Sequence, residues 1–167
     1  MKEFVAIPEE RIKILRDKRS LYTRKLRNFF DVQIWVRGDE VEIDGEDSLQ
    51  VVRTKEILKA FGRGFEFEDA LDLADEDFIL EIINTSEFSG KSKNRQMELK
   101  GRVIGAEGKS KDIIEKYSGA KMVVHGKTVS IIGRWENVRV AKEAVEMLLS
   151  GAKHATVFMF LEEKRVV

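Results

Sequence analysis

The sequence predicts an α+β protein made of two copies of one small unit, and three observations carry that prediction. Residues 36–45 (VRGDEVEIDG) laid over 124–133 (VHGKTVSIIG) share five of ten positions at a displacement of 88. Around each segment the hydrophobic periodicity changes in the same order: strand, helix, turn, helix, strand, strand, helix. The 167 residues are 43% hydrophobic and 36% charged, a chain that folds around a core and has length for two small units.

The first copy, residues 1–65, opens on a strand at 4–7. Pro8 followed by Glu9 and Glu10 then marks a helix start, because proline suits a first helical position and carboxylates suit the positive end of the helix dipole. A β-hairpin turns at Gly38, and a helix over 48–61 places Leu49, Val52, Leu58 and Phe61 on one stripe before stopping at Gly62. Residues 66–77 read as a short acidic linker helix, with apolar positions at helical spacing and neither Pro nor Ser. The second copy, 78–151, begins with the strand FILEII (78–83) and a polar helix over about 92–104, then a helix, a hairpin at Gly126 and a helix over 136–149. Val138, Ala141, Val145 and Leu148 form the stripe of that last helix. The remaining segment, 152–167, fits either strand or helix by periodicity; its place after Gly151 and its charged end favour a docked C-terminal helix.

Thirty basic and thirty acidic residues cancel, but unevenly. The local net charge is +2 over residues 1–65, −9 over 66–90 and +7 over 91–167. Screening over roughly 8–10 Å lets such regions act separately, so a polyanionic partner stays open. Runs of cations such as 16–27 are ordinarily solvated helix faces. With no Cys the chain has no disulfide, thiol nucleophile or Cys-built metal site. No run approaches the ~20 apolar residues that span a bilayer, and the opening MKEFVAIPEER is unlike a signal peptide, so the expectation is a cytoplasmic protein with no membrane partner.

The chemistry concentrates at Val103-Ile104-Gly105-Ala106-Glu107-Gly108-Lys109, where two glycines three apart end one helix and open another. Glycine tolerates positive φ and lets another backbone come close, and the next helix points its positive end at the corner, which suits phosphate. Arg102, Lys109 and Lys111 add cations. Ile104, Ile113 and Ile114, with Met122 to Val124, supply an apolar groove in which bases lie while the turn grips their sugar–phosphate backbone. Glycines at this spacing are common in helical corners, so the surrounding element order gives the pattern its weight. A Walker A loop ending at Lys109-Ser110 needs glycine at 103, where Val103 stands. Asp69, Asp72, Asp75 and Asp77 lack EF-hand spacing, and a solvated helix face explains them better than a metal site. The two histidines, His125 and His154, have no HExxH spacing and no nucleophile adjacent in sequence. Trp135 reads as a partly exposed packing residue rather than a stacking platform. In the first copy the same displacement sets Asp17-Lys18-Arg19-Ser20 where the glycines stand in the second, so the close grip is missing there.

A GxxG between two helices, preceded by a strand and followed by a hairpin and a long helix, resembles the KH domain of type I. Such a domain packs a three-stranded antiparallel sheet on three helices and clamps about four nucleotides of single strand. AFGRGF, KGRVIGAEGK, KTVSIIG and AKEAVEMLLSGAKHATVFMFLEEKR extend the likeness over most of the chain. They make it similar to the archaeal KH-domain rRNA-processing proteins, relatives of the eukaryotic partner-of-Nob small-subunit assembly factor. The resemblance implies two tandem type I KH domains, the first degenerate, acting as a non-catalytic adaptor without cofactor or metal. It implies binding of single-stranded RNA, small-subunit rRNA near its 3′ end, beside the Nob endonuclease and the alpha subunit of archaeal initiation factor two. Carried onto this sequence, the phosphate-facing turn is Gly105, Ala106, Glu107 and Gly108, flanked by Arg102, Lys109 and Lys111. The residues themselves add Ile104, Ile113 and Val124 for the bases and secondary contacts at Lys18, Arg19, Arg24 and His125, with packing or protein contact the favoured role of the first copy. Glu107 departs from the basic or amide residue common there and repels phosphate. The alternative from a different class is a protein-interaction scaffold that docks a basic partner on the acidic linker and keeps only a vestigial RNA surface.

Overall fold

Residues 1–17 and 20–165 are described by a computed structural model, and they form two units that divide after Asp75, each with its own three-stranded antiparallel sheet. The first unit runs β1 (Lys2–Ala6), α1 (Glu9–Arg16), α2 (Leu21–Phe30), β2 (Gln33–Arg37), β3 (Glu40–Asp44) and α3 (Ser48–Gly62). A single helical turn, α4 (Phe67–Ala70), and a 3-10 turn at Leu71–Ala74 complete it. The strands lie in the order β1-β3-β2, with Val5 opposite Val41 and Ile34 opposite Ile43. Alternation turns these residues onto the helices, where all four are buried.

The stripe expected on α3 is rotated. Val51, Thr54, Ile57, Leu58 and Phe61 are buried, while Leu49 is 53% and Val52 41% exposed. Val51, Thr54, Leu58 and Phe61 recur at i, i+3, i+7 and i+10, and Leu49 stands roughly 200° round the helix from Val51. The Asp47 carboxylate caps this helix by accepting the Leu49 N–H at 2.9 Å. The acidic stretch does not form a linker helix over 66–77: its two short turns lie within the first unit and bury Phe67, Ala70 and Leu73 there. Apolar side chains at helical spacing fold the segment down and leave its exposed carboxylates, Glu66 and Glu68, in solvent.

The second unit repeats the plan. Its elements are β4 (Phe78–Asn84), α5 (Ser86–Ser89), α6 (Lys93–Ile104), α7 (Lys109–Ser118), β5 (Lys121–His125), β6 (Thr128–Arg134), α8 (Trp135–Leu149) and α9 (His154–Glu163). The strand order is β4-β6-β5, the counterpart of the first sheet. Helices α2 and α7 each span 10 residues and start 88 positions apart, the displacement read from the hairpins. Leu99, Val103, Ile114, Met122, Val129 and Ile131 meet Val138, Ala141, Val145 and Leu148 of α8 in one core. Helix α9 closes this core with Val157 and Leu161, both wholly buried.

An arginine ties each unit together in the same way. In the first, Arg11 donates to the carbonyls of Phe61 (2.9 Å) and Phe65 (2.6 Å). In the second, Arg102 donates to those of Leu148 (2.9 Å) and Ala152. A guanidinium carries a planar fork of donors, so one side chain satisfies two carbonyls four residues apart at the end of a helix.

Candidate functional site

Helix α6 ends where Gly105 turns to φ 76° and ψ 171°, its N–H still bonded to the Gly101 carbonyl at 2.8 Å. Ala106–Gly108 makes one 3-10 turn, in which Glu107 stands at φ 55° and Gly108 at φ 78°, before α7 starts at Lys109. Three of four consecutive residues are therefore left-handed or otherwise at positive φ, and the backbone makes a tight corner.

The two glycines serve different ends. A Cβ at Gly105 would stand 2.5 Å from the Ser110 Oγ and 2.7 Å from its backbone nitrogen, so the corner closes only because that atom is missing. A Cβ at Gly108 would meet nothing within 4 Å. Gly105 lets two helices pack, and Gly108 keeps the outer face of the turn bare. Both glycines are half-buried, whereas Ala106, Glu107 and Lys109 are exposed, so the corner lies at the surface.

The cations named from sequence do not all reach solvent. Lys109 is exposed and has no ion pair among the described residues. Lys111 pairs with Glu115 (Nζ to Oε1, 2.9 Å), whose other oxygen accepts the Met122 N–H at 3.1 Å. Arg102 is half-buried, donates to the carbonyls of Leu148 and Ala152, and also lines a cleft beside the turn. Ile104, Ile113 and Val124 are half-buried, the last two packed on the edge of the core. Ile114 and Met122 sit within that core, 0% and 2% exposed, and line no groove. His125 is half-buried at the end of β5, its carbonyl accepting the Thr128 hydroxyl at 2.9 Å. Trp135 is 58% exposed, with the Arg139 guanidinium 5.5 Å from its ring centre.

In the first unit Asp17 to Ser20 join α1 to α2 as Gly105 to Gly108 join α6 to α7. Lys18 and Arg19 lie outside the described residues. Arg24 is exposed on α2. Other cations there are used internally: Arg27 donates to the Ile34 carbonyl at 2.6 Å, and Arg16 binds Glu9 at 2.7 Å and the Gly38 carbonyl at 2.6 Å. The hydrogen bond from Arg16 holds the Glu9 carboxyl below the usual carboxylate range.

A cleft of about 620 Å³ opens beside the turn, lined by Arg95, Gly105, Lys109, Ser110, His154 and Phe158. The His154 Nε2 lies 3.0 Å from the Arg102 carbonyl oxygen, and since a carbonyl only accepts, that nitrogen carries the proton. Arg95, Ser110 and Phe158 escaped the sequence reading because they come from three elements and share no periodicity.

Residues 79–166 match the eukaryotic type KH-domain (KH-domain type I), in the form of the second such domain of PNO1. The chain is 41% identical over 168 residues to a KH domain-containing protein of Methanocaldococcus jannaschii, covering 98% of this chain and 74% of that one. It is 27% identical to the RNA-binding protein pno-1 of Caenorhabditis elegans, over 92% of this chain and 58% of the nematode protein. It is 30% identical to the pre-rRNA-processing protein PNO1 of Coccidioides immitis, over 67% of this chain and 44% of the fungal one. Among solved structures it resembles a chain in the a/eIF2alpha–aDim2p–rRNA complex from Pyrococcus horikoshii. There the TM-score is 0.89 at 35% identity, covering 98% of this chain and 93% of the other.

Proposed function

The chain belongs to the PNO1 family of type I KH-domain proteins, and on that premise we propose that it is a non-catalytic adaptor that binds single-stranded RNA during small-subunit maturation. The RNA is small-subunit rRNA near its 3′ end. The relatives whose names speak of RNA binding and pre-rRNA processing support this reading, and so does the rRNA in the complex of the similar Pyrococcus horikoshii chain. The observation that carries it is the surface corner at Gly105 to Gly108, bare at Gly108 and followed by the exposed Lys109.

The strand's phosphates approach this corner at the glycines, where backbone and the start of α7 meet them beside the exposed Glu107 carboxylate. Gly105, Ala106, Glu107, Gly108 and Lys109 form the grip, and Ile104, Ile113 and Val124 give the bases an apolar edge. Lys111 joins only by exchanging its exposed Glu115 partner, a small cost. The first unit is a second KH domain whose sequence has neither glycine between Asp17 and Ser20, and packing or protein contact is its role ahead of RNA binding. One four-nucleotide contact is weak, so affinity is raised by a partner that holds the same RNA. The alpha subunit of the archaeal initiation factor is one such partner, a reading supported by the a/eIF2alpha in the complex of the similar Pyrococcus horikoshii chain. The Nob endonuclease, which the likeness to partner-of-Nob proteins implies, is the other.

Replacing Ala106 and Glu107 together by Asp tests the grip. Aspartate tolerates the left-handed backbone at 107, so the fold is retained. Affinity for single-stranded RNA is expected to fall roughly tenfold or more as a second carboxylate, at 106, joins the one already at 107 beside the approaching phosphate. Unchanged binding by a folded variant rejects the proposal.

A further inference from the structure

The first unit provides an internal control for the cleft beside Gly105. In each unit the arginine fork spans two carbonyls, and two residues beyond the second one a new helix begins, at Phe67 in the first unit and His154 in the second. Counting from the starts of α2 and α7 likewise sets Tyr22 against Ser110. In the first unit both positions hold rings. Phe67 stacks on Tyr22 with centroids 4.2 Å apart and planes 16° apart, and Phe61 meets both edge-on. In the second, serine and imidazole stand at those positions, and the cleft of about 620 Å³ is open.

We infer that this cleft receives a nucleobase of the bound strand, one next to the stretch gripped by the turn, in the place where the first unit stacks Phe67 on Tyr22. The inference rests on the reading of the turn as a phosphate grip. The cleft has the shape and chemistry for a flat ring on an anionic tether. Its wall carries the His154 and Phe158 rings, with centroids 5.9 Å apart at 62°, so a base finds aromatic surface there. Its lining runs continuously into Gly105, Ala106 and Lys109, so the linking phosphate meets Lys109 without leaving the site. Arg95 also lines it, bound to Glu98 at 2.9 Å in an exposed pair that a phosphate displaces at little cost. The competing occupant, an aromatic side chain of a protein, has no anionic tether for the three cations, Arg95, Arg102 and Lys109, that line the cleft beside Glu98.

Anisotropy of labelled oligouridylate and oligoadenylate, four and eight nucleotides long, tests this on the full chain and three variants. Ser110→Tyr installs the ring that Tyr22 supplies in the first unit. Phe158→Ala removes aromatic wall without filling the space. The paired aspartates at 106 and 107 disable the turn. The eight-mer is expected to bind more tightly than the four-mer. F158A should weaken the eight-mer roughly tenfold, within the range of one base–aromatic stack, and leave the four-mer unchanged, while S110Y, whose ring stands against Gly105, should weaken the eight-mer at least as much. The turn variant should weaken both lengths. An eight-mer carrying 2-aminopurine at successive positions should be quenched at one of them by the unmodified protein and not by S110Y. If circular dichroism shows S110Y unfolded, F158A decides alone. Unaltered eight-mer binding by F158A, with the turn variant still weak, overturns the cleft and spares the turn. A turn variant that binds both lengths normally overturns the reading on which the cleft depends. Loss of a protein partner by F158A with RNA binding intact assigns the cleft to protein and also overturns the inference.

Discussion

The two glycines of the corner look alike in sequence and differ in physical task. Gly105 stands where a methyl group would press on the Ser110 Oγ and backbone nitrogen at 2.5 and 2.7 Å, and it also holds a positive φ. Gly108 holds a positive φ with open space beside it. Gly105→Ala is therefore expected to destabilise the second unit by about 3 kcal/mol or more, adding overpacking to left-handed strain. Gly108→Ala carries the strain alone, about 1 kcal/mol. Denaturant unfolding of the two variants measures the difference, and equal losses would refute the division of labour. Gly108→Ala should nonetheless cost more in RNA affinity than in stability, because its methyl group stands on the face the strand approaches. The spacing of the glycines was legible in the sequence. Which of them faces the interior was not, because that depends on Ser110 turning back beneath the corner.

Each arginine fork binds a helix on one side of its unit to the end of the long helix that closes it. No pattern in the sequence announces this, since Arg102 and its carbonyls lie 46 and 50 residues apart and backbone oxygens carry no sequence label. Proximity to the glycines marks Arg102 in the sequence; the fold adds a task the sequence does not show, since its guanidinium holds two carbonyls. Replacing Arg102 or Arg11 by Met should leave the Ala152 or Phe65 carbonyl without its arginine donor, while those of Leu148 and Phe61 keep a backbone N–H, and cost about 1–3 kcal/mol in each unit. Lysine should fail to restore most of that loss, because an ammonium is a single point of charge and not a fork. Urea unfolding of R11M, R11K, R102M and R102K checks this, and full rescue by lysine would show that charge alone matters. The rotated stripe of α3 teaches the same lesson: Leu58 and Phe61 were identified correctly, while Leu49 and Val52 shared their spacing and faced solvent. Periodicity states that a helix has an apolar face, and neighbouring elements choose which of two overlapping faces it is.

At the scale of the whole molecule the formal net charge is +0, yet the second unit carries the turn and an excess of cations. Local charge governs association with RNA. Binding through two to four phosphates should give log K falling against log salt with a slope of about −1.5 to −3. A slope near zero would mean that no phosphate is gripped. The sequence by itself determined the α+β class, the duplication at displacement 88, the order of elements and the site of the turn. All of these follow from local periodicity and from residues adjacent in the chain. Only the tertiary structure decided that Arg102 ties helices together, that Ile114 and Met122 belong to the core, and that residues 67–74 fold onto the first unit. It alone revealed that Ser110 and His154 leave open what Tyr22 and Phe67 fill. Burial and partnership arise between residues far apart in the chain, and no window of sequence contains both members of such a pair.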